Sequence, residues 1–129
     1  MMHRTGTELA RPFVPARDFA LSKQFYLDLG FELLLDAEVA IFGIGNTSFL
    51  LQNHYHPAWA GHFMMQLMVD DLDAWWTHIA GLDLPSRYPV TAPQPPALQP
   101  WGLRIAYVVD PSGILWHVAQ RRPAVGHDH

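Results

Sequence analysis

The 129-residue sequence contains no cysteine, a single lysine (Lys23) and no long uninterrupted apolar run. Without cysteine, the chain has no disulfide, no thiolate metal site and no thiol nucleophile. The one lysine and the net charge of −4 argue against a nucleic-acid partner, because phosphate contacts need clustered basic side chains. The short apolar runs predict neither a membrane span nor a signal segment, so we expect a cytoplasmic protein.

Tryptophan, methionine and proline are plentiful, with five, five and eleven residues. Aromatic and methionine side chains suit apolar small-molecule pockets, but they suit cores and subunit interfaces equally well. A chain of this length buries roughly two thirds of the surface that its unfolded form exposes, so it needs no covalent staples. The composition therefore predicts one globular domain.

The first half of the chain predicts a strand, a helix and three further strands. Asp18 is a suitable helix N-cap, apolar side chains recur at helical spacing as far as Leu29, and Gly30 ends the helix. The predicted strands cover residues 8–16, 31–35, 38–44 and 47–52. Phe49 belongs to the last of these strands.

The same order then starts again. A strand over 62–69 precedes a helix that Asp70 or Asp71 caps and that runs to Gly81. A broken strand over 82–90 and a proline-rich loop over 91–100 lead to a closing hairpin, whose turn is Asp110-Pro111-Ser112-Gly113.

These two halves form a weak internal repeat. Asp18 and Asp71 lie 53 residues apart, and aligning them places strand on strand and helix on helix. Four strands and one helix bury too little surface alone, so the halves are expected to share a core. We predict an α+β fold of two βαβββ modules, residues 8–53 and 62–120, joined by a linker at 54–61 within a single domain 8–120.

Three local patterns carry a resemblance to a known family. Residues 25–31 read Phe-Tyr-Leu-Asp-Leu-Gly-Phe, and residues 69–74 read Val-Asp-Asp-Leu-Asp-Ala. The closing hairpin combines Trp101-Gly102-Leu103-Arg104 with Asp110-Pro111-Ser112-Gly113 and Trp116. In order and spacing these patterns resemble the vicinal oxygen chelate superfamily of glyoxalases, extradiol dioxygenases and bleomycin-resistance proteins. The resemblance implies modules that curl around a cleft, in proteins that are commonly homodimers.

The resemblance also identifies four positions from which metal-using members take ligands. In this sequence they hold Arg11, Leu50 or Leu51, Met64 and His117. Arginine has no lone pair to donate, leucine has no ligand atom, and methionine is a soft thioether. We therefore expect no catalytic metal and no cofactor. A displaced metal site made of His62, Gln66 and His117 stays open as an alternative.

Several of the candidate side chains have two interpretations. His117 is either a hydrogen-bonding group in the cleft or a core histidine that replaces glutamate. Trp101 either stacks on a planar ligand or anchors its loop. Arg104 either binds a ligand carboxylate or forms an internal ion pair.

Arg11 would bring a fixed positive charge to the cleft, which suits an anionic or carbonyl-bearing ligand, unless Glu8 or Glu38 neutralises it. The predicted ligand-binding set is Arg11, Phe49, Met64, Gln66, Trp101, Arg104 and His117.

The hypothesis that these residues favour is a homodimer that binds an apolar or aromatic small molecule without a metal. By its resemblance to bleomycin-resistance proteins, such a protein would sequester a drug or a metabolite. The first alternative is a metal-dependent glyoxalase-like lyase, isomerase or dioxygenase with a displaced metal site. The second is an interaction module that uses its aromatic surface to bind a protein partner.

Overall fold

The computed structural model describes residues 9–120, which form two four-stranded sheets with flanking helices. The first half holds β1 (Phe13–Pro15), α1 (Phe19–Leu29), β2 (Glu32–Asp36), β3 (Val39–Ile44) and β4 (Thr47–Gln52). The second half holds α2 (Pro57–Ala60), β5 (Met64–Val69), α3 (Leu72–Leu82), α4 (Leu84–Arg87), β6 (Gln94–Leu98), β7 (Arg104–Val109) and β8 (Leu115–Gln120).

The two sheets share one topology. Their strand orders are β1-β4-β3-β2 and β5-β8-β7-β6. In each sheet the first strand pairs with the last in parallel, and the other pairs are antiparallel. The predicted α+β fold of two βαβββ modules is confirmed, while the module limits of 8–53 and 62–120 stay a prediction.

Both long helices start at the aspartates that the sequence indicates. The carboxylate of Asp18 accepts a hydrogen bond from the Leu21 N–H at 3.1 Å, and that of Asp71 accepts one from the Ala74 N–H at 3.0 Å. Gly30 ends α1 with a φ of 121°, a left-handed conformation that side chains rarely adopt. The caps thus set equivalent starting points for the helices of the two halves.

The structure corrects the prediction for residues 82–100. The stretch 82–90 is not a broken strand, because α3 continues to Leu82 and the short helix α4 follows at Leu84–Arg87. Conversely, the predicted loop 91–100 contains β6. Pro95 and Pro96 lie in this edge strand. Among the strands of residues 9–120 it pairs with β7 alone, through an irregular register, so the missing N–H groups are tolerated.

Three further boundaries differ from the prediction. β1 is confined to Phe13–Pro15, β5 begins at Met64 rather than at residue 62, and the linker holds the short helix α2. Pro12 and Pro15 explain the short β1, because neither residue has an N–H to donate to a ladder.

The halves pack through their helix-covered faces, which form a single apolar core. The Phe49 ring of the first sheet lies 5.5 Å from the Trp116 ring of the second, measured between centroids. Tyr26 of α1 contacts both rings, at 5.0 Å and 5.8 Å. The other face of each sheet therefore points away from this shared core.

Within residues 9–120, no helix has the length and apolar character that crossing a membrane requires.

Candidate ligand-binding surface

Strand alternation places one set of side chains in the core and the other on a face that lies away from the long helices α1 and α3. We call the uncovered side of the first sheet the first open face; it carries Arg11, Phe13, Ser48 and Leu50. The uncovered side of the second sheet is the second open face; it carries Met64, Gln66, Tyr107, Leu115 and His117.

His117 lies at the centre of the second open face. The register of the sheet places Gln66 beside it on β5 and Tyr107 beside it on β7. The rings of Tyr107 and His117 meet edge to face, with centroids 4.8 Å apart and planes at 78°. The row thus combines an amide, an imidazole and a phenol on a half-exposed surface.

A hollow of about 260 Å³ adjoins this row. Tyr107, Val109 and Leu115 form its floor, and Thr91, Ala92 and Gln94 form its side. Met64 of β5, which pairs in register with Leu115 of this hollow, is 63 % exposed. The face is therefore largely apolar and aromatic, with polar groups limited to a few positions, as is usual where small molecules bind.

The first open face carries the fixed charge of Arg11. Its Nε donates a hydrogen bond to the Ser48 hydroxyl at 2.8 Å. Neither of the expected glutamates is seen to neutralise it, since Glu8 lies outside the described residues and no Arg11–Glu38 ion pair occurs within residues 9–120.

A second hollow, of about 200 Å³, lies between the first open face and the linker. Phe13, Pro15 and Gln52 form its strand side. His54, His56, Trp59 and Phe63 form its other side, and the rings of His56 and Trp59 stack with centroids 4.9 Å apart. The linker histidines and tryptophan thus form an aromatic wall beside the first open face.

The residues at the four family positions do not fit a divalent metal. Arg11 donates a hydrogen bond and has no lone pair, Met64 offers a soft thioether, and only His117 is a suitable ligand. The remaining family position is either Leu50 or Leu51. Leu51 is buried in the core, whereas Leu50 lies on the first open face, so Leu50 is the residue that faces outward there. A single imidazole does not make a metal centre.

The displaced metal site is only partly assembled. Gln66 and His117 are direct cross-strand neighbours, whereas His62 precedes β5 and follows the turn after α2. Within residues 9–120, no group of three His, Cys, Asp or Glu side chains is placed to hold an ion. The displaced site stays a hypothesis.

Two of the expected ligand residues lie on the helix-covered side instead. Phe49 is 2 % exposed and packs in the core against Tyr26, Phe42 and Trp116, which corrects the expectation that it lines the cleft. Arg104 forms an ion pair with Asp73 of α3 at 3.1 Å, so the structure matches the internal-pair interpretation.

Trp101 lies in the turn between β6 and β7 and is 62 % exposed. Its indole is available to a ligand or a partner at the end of the sheet where β7 begins. The structure thus brings Met64, Gln66 and His117 onto one face, places Trp101 at the end of that sheet, and puts Arg11 on the other sheet.

The set predicted from the sequence did not include Tyr107, Leu115 and Phe13, which the structure places on the open faces. The signal for Tyr107 was present in part, because an alternating strand that pairs with β8 must place one of its residues opposite His117. Identifying that residue required the register, which the sequence alone does not fix.

Comparison with known proteins agrees with this arrangement. The sequence profile of the Glyoxalase/Bleomycin resistance protein/Dioxygenase superfamily matches residues 8–118. A bleomycin resistance protein of Klebsiella pneumoniae is 33 % identical over 128 residues, covering 93 % of this chain and 98 % of the relative.

Two solved structures are also similar. A bleomycin-binding protein in complex with bleomycin is 30 % identical, with a TM-score of 0.75, over 90 % of this chain and all of that one. A bleomycin resistance determinant encoded on transposon Tn5 is 32 % identical, with a TM-score of 0.74, over 91 % of this chain and all of that one. This chain belongs to the Glyoxalase/Bleomycin resistance protein/Dioxygenase superfamily.

Proposed function

We propose that this chain is a bleomycin-resistance-like protein, which sequesters a small-molecule drug or metabolite without a catalytic metal. The observation that carries the proposal is the second open face, where Gln66, His117 and Tyr107 form a polar and aromatic row on an otherwise apolar sheet. A similar protein, 30 % identical, has been solved in complex with bleomycin. Bleomycin is accordingly the first ligand to test.

Each side chain of the proposed site has a distinct role. The Gln66 amide and the His117 ring provide directional hydrogen bonds, while Tyr107 holds the His117 ring edge to face. Met64 provides an adaptable apolar contact, and Trp101 provides a flat surface for a planar part of the ligand. The proposed ligand-binding set keeps Met64, Gln66, Trp101 and His117 from the prediction and adds Tyr107.

Arg11 joins this set only if the first open face of another chain covers the ligand. Within one chain the two open faces point away from the shared core, so they do not enclose a common cleft. Phe13 and Met64 are 53 % and 63 % exposed on these faces, and a partner would bury them. We therefore include a homodimer in the proposal, in which the first open face of one copy and the second open face of the other enclose the ligand.

We also propose that the protein is located in the cytoplasm, because a chain without cysteine fits a reducing compartment.

Calorimetric titration with bleomycin tests the binding function. We expect saturable binding that EDTA does not abolish, because no protein-bound metal is required. His117→Leu, which keeps the volume but removes the polar atoms, should weaken binding about fivefold or more. His78→Gln is the matched control, because His78 lies on α3, away from both open faces. No saturable heat with bleomycin, or equal binding by the His117→Leu variant, would contradict the proposal.

Sedimentation equilibrium tests the dimer separately. Met64→Asp places a charge at the proposed interface and should shift the mass toward the monomer. Leu98→Asp is the control, since Leu98 is 69 % exposed on β6 but pairs in register with Arg104, on the helix-covered side. A wild-type chain that stays monomeric at high concentration would remove the dimer from the proposal.

A further inference from the structure

Within residues 9–120, the repeat creates two equivalent places where the halves of the chain meet, and one of them is filled while the other is hollow. In the first, the five-residue connection from β7 to β8 packs against the start of α1. The Ser112 hydroxyl accepts a hydrogen bond from the Arg17 N–H at 2.8 Å and lies 3.5 Å from the Ser22 hydroxyl. Pro111, Ser112 and Ile114 are all buried there.

The equivalent connection in the first half, from β3 to β4, consists of only two residues, Gly45 and Asn46. It faces the start of α3 but is too short to reach into the space that its counterpart fills. A hollow of about 420 Å³ is left between the β3–β4 turn, β5 and α3. Trp75, which aligns with Ser22 in the repeat, lines this hollow without filling it.

The hollow extends along α3. A second space of about 300 Å³ adjoins it and shares Ile44, Ala74 and Trp75 with the first. Volumes of this size are in the range of about 300–1,000 Å³ that small-molecule sites occupy. The place is distinct from the polar row of the second open face, because its walls come from the β3–β4 turn, the last residues of β5 and the start of α3, and none of Gln66, Tyr107 and His117 lines it.

The charged residues that line the larger hollow are all acidic. Its lining includes Asp70 and Asp71 but no lysine, arginine or histidine. The Asp71 carboxylate is engaged in capping α3, whereas Asp70 forms no ion pair within residues 9–120. Asn46 and Thr47 add uncharged polar groups at the β3–β4 turn, and the apolar part of the wall includes Ile44, Leu67 and the half-buried Trp75 indole.

We propose that this hollow, the inter-module hollow, is a second binding site, for small organic cations that carry an aromatic ring beside an ammonium group. The ring packs on Ile44 and the Trp75 indole, while the ammonium pairs with the Asp70 carboxylate. The indole face also attracts a cation directly. An anion of the same shape is rejected, because no basic side chain of the lining offsets Asp70 and Asp71.

Three probes of matched shape test the site on the full-length, ¹⁵N-labelled protein. They are 2-phenylethylamine, 2-phenylethanol and 3-phenylpropionate, which are a cation, a neutral molecule and an anion at pH 7. In ¹H–¹⁵N spectra, the amine should cause saturable shifts at the Trp75 indole and at the Asp70 and Ala74 amides. The alcohol should bind about three- to tenfold more weakly, the range expected for one half-exposed charge pair, and the anion should not bind.

Two variants separate the site from general effects. Ala74→Leu adds three carbon atoms to the wall that both spaces share and should reduce the amine shifts, whereas Ala80→Leu, at a position on the same helix that lines neither space, should leave them unchanged. Asp70→Asn should lower the amine affinity to that of the alcohol, whereas Glu38→Gln removes an exposed charge elsewhere and should not. No saturable shift with the amine, equal affinity for the amine and the alcohol, or binding of the anion would overturn the proposal.

Discussion

The hydroxyl of Tyr26 donates a hydrogen bond to Asp110 at 2.5 Å, and this contact joins residues 84 positions apart in the two halves of the chain. The Trp116 indole N–H donates in turn to the Tyr26 oxygen at 2.9 Å. The other Asp110 oxygen accepts from the Ser112 and Ile114 N–H groups at 2.8 Å and 2.9 Å. This buried network holds the β7–β8 turn against α1.

Tyr26→Phe removes the donor to Asp110 and the acceptor for Trp116 while keeping the ring. Because the carboxyl group is buried, we expect the free energy of unfolding to fall by about 1.5–3 kcal/mol. Urea unfolding measures this loss. Tyr55→Phe, at a half-buried ring outside the network, should change the free energy of unfolding by less than about 0.5 kcal/mol. Equal effects of the two variants would contradict a role for the network.

Asp110 predicts a pH dependence of stability. Burial raises the pKa of Asp110 above its ordinary value, although the Tyr26 hydroxyl and the Ile114, Ser112 and Gly113 N–H groups act against this rise. Because the folded state then holds this proton more tightly than the unfolded state, the Asp110 contribution to stability falls as pH rises from about 3.9 to the raised pKa. Above that window the contribution is constant.

The measurement compares wild type with Asp110→Asn in urea at several pH values between about 4 and 7. Asparagine does not titrate, so the wild-type free energy of unfolding should decrease relative to that of the variant as pH rises. An increase with pH would show a lowered pKa at Asp110 and contradict the assignment.

The core position of Phe49 leads to a third prediction. Phe49→Ala should lower the free energy of unfolding by about 3–5 kcal/mol, because it opens a cavity among packed aromatic rings. Phe13→Ala should cost less than about 1.5 kcal/mol, because that side chain is 53 % exposed. Both are measured by denaturant unfolding at the same low protein concentration. A small loss for Phe49→Ala would place its ring outside the core.

The ion pair of Arg104 and Asp73 leads to a fourth prediction. Asp73 is 76 % and Arg104 is 39 % exposed at the side chain, so solvent screens the pair. Arg104→Ala should therefore lower the free energy of unfolding by at most about 1 kcal/mol and leave bleomycin affinity unchanged. A large drop in affinity would mean that this guanidinium reaches the ligand.

The sequence indicated the fold well because its signals are local and repeated. Asp18 and Asp71 both cap helices, and the second half repeats the topology of the first. β6 was missed because Pro95 and Pro96 are typical of a loop, and only the pairing of this edge strand with β7 shows that they are tolerated.

The binding surface was harder to predict, because it depends on which side of a strand each residue occupies. In β4 three apolar residues follow one another, Phe49, Leu50 and Leu51, so alternation alone does not say which one is exposed. Arg104 has its partner 31 residues earlier in the chain, which no local pattern reveals. His117, in contrast, lies between the buried Trp116 and Val118, and Gln66 lies between the half-buried Met65 and the buried Leu67.

Mapping bleomycin onto ¹⁵N-labelled protein tests the central claim, that the ligand lies on the second open face, most directly. We expect saturable shifts that are largest at Gln66, Tyr107 and His117, with small shifts at the helix-side residues Tyr26 and Phe49. Shifts concentrated on α1 and α3, or no saturable shift anywhere in the spectrum, would contradict it.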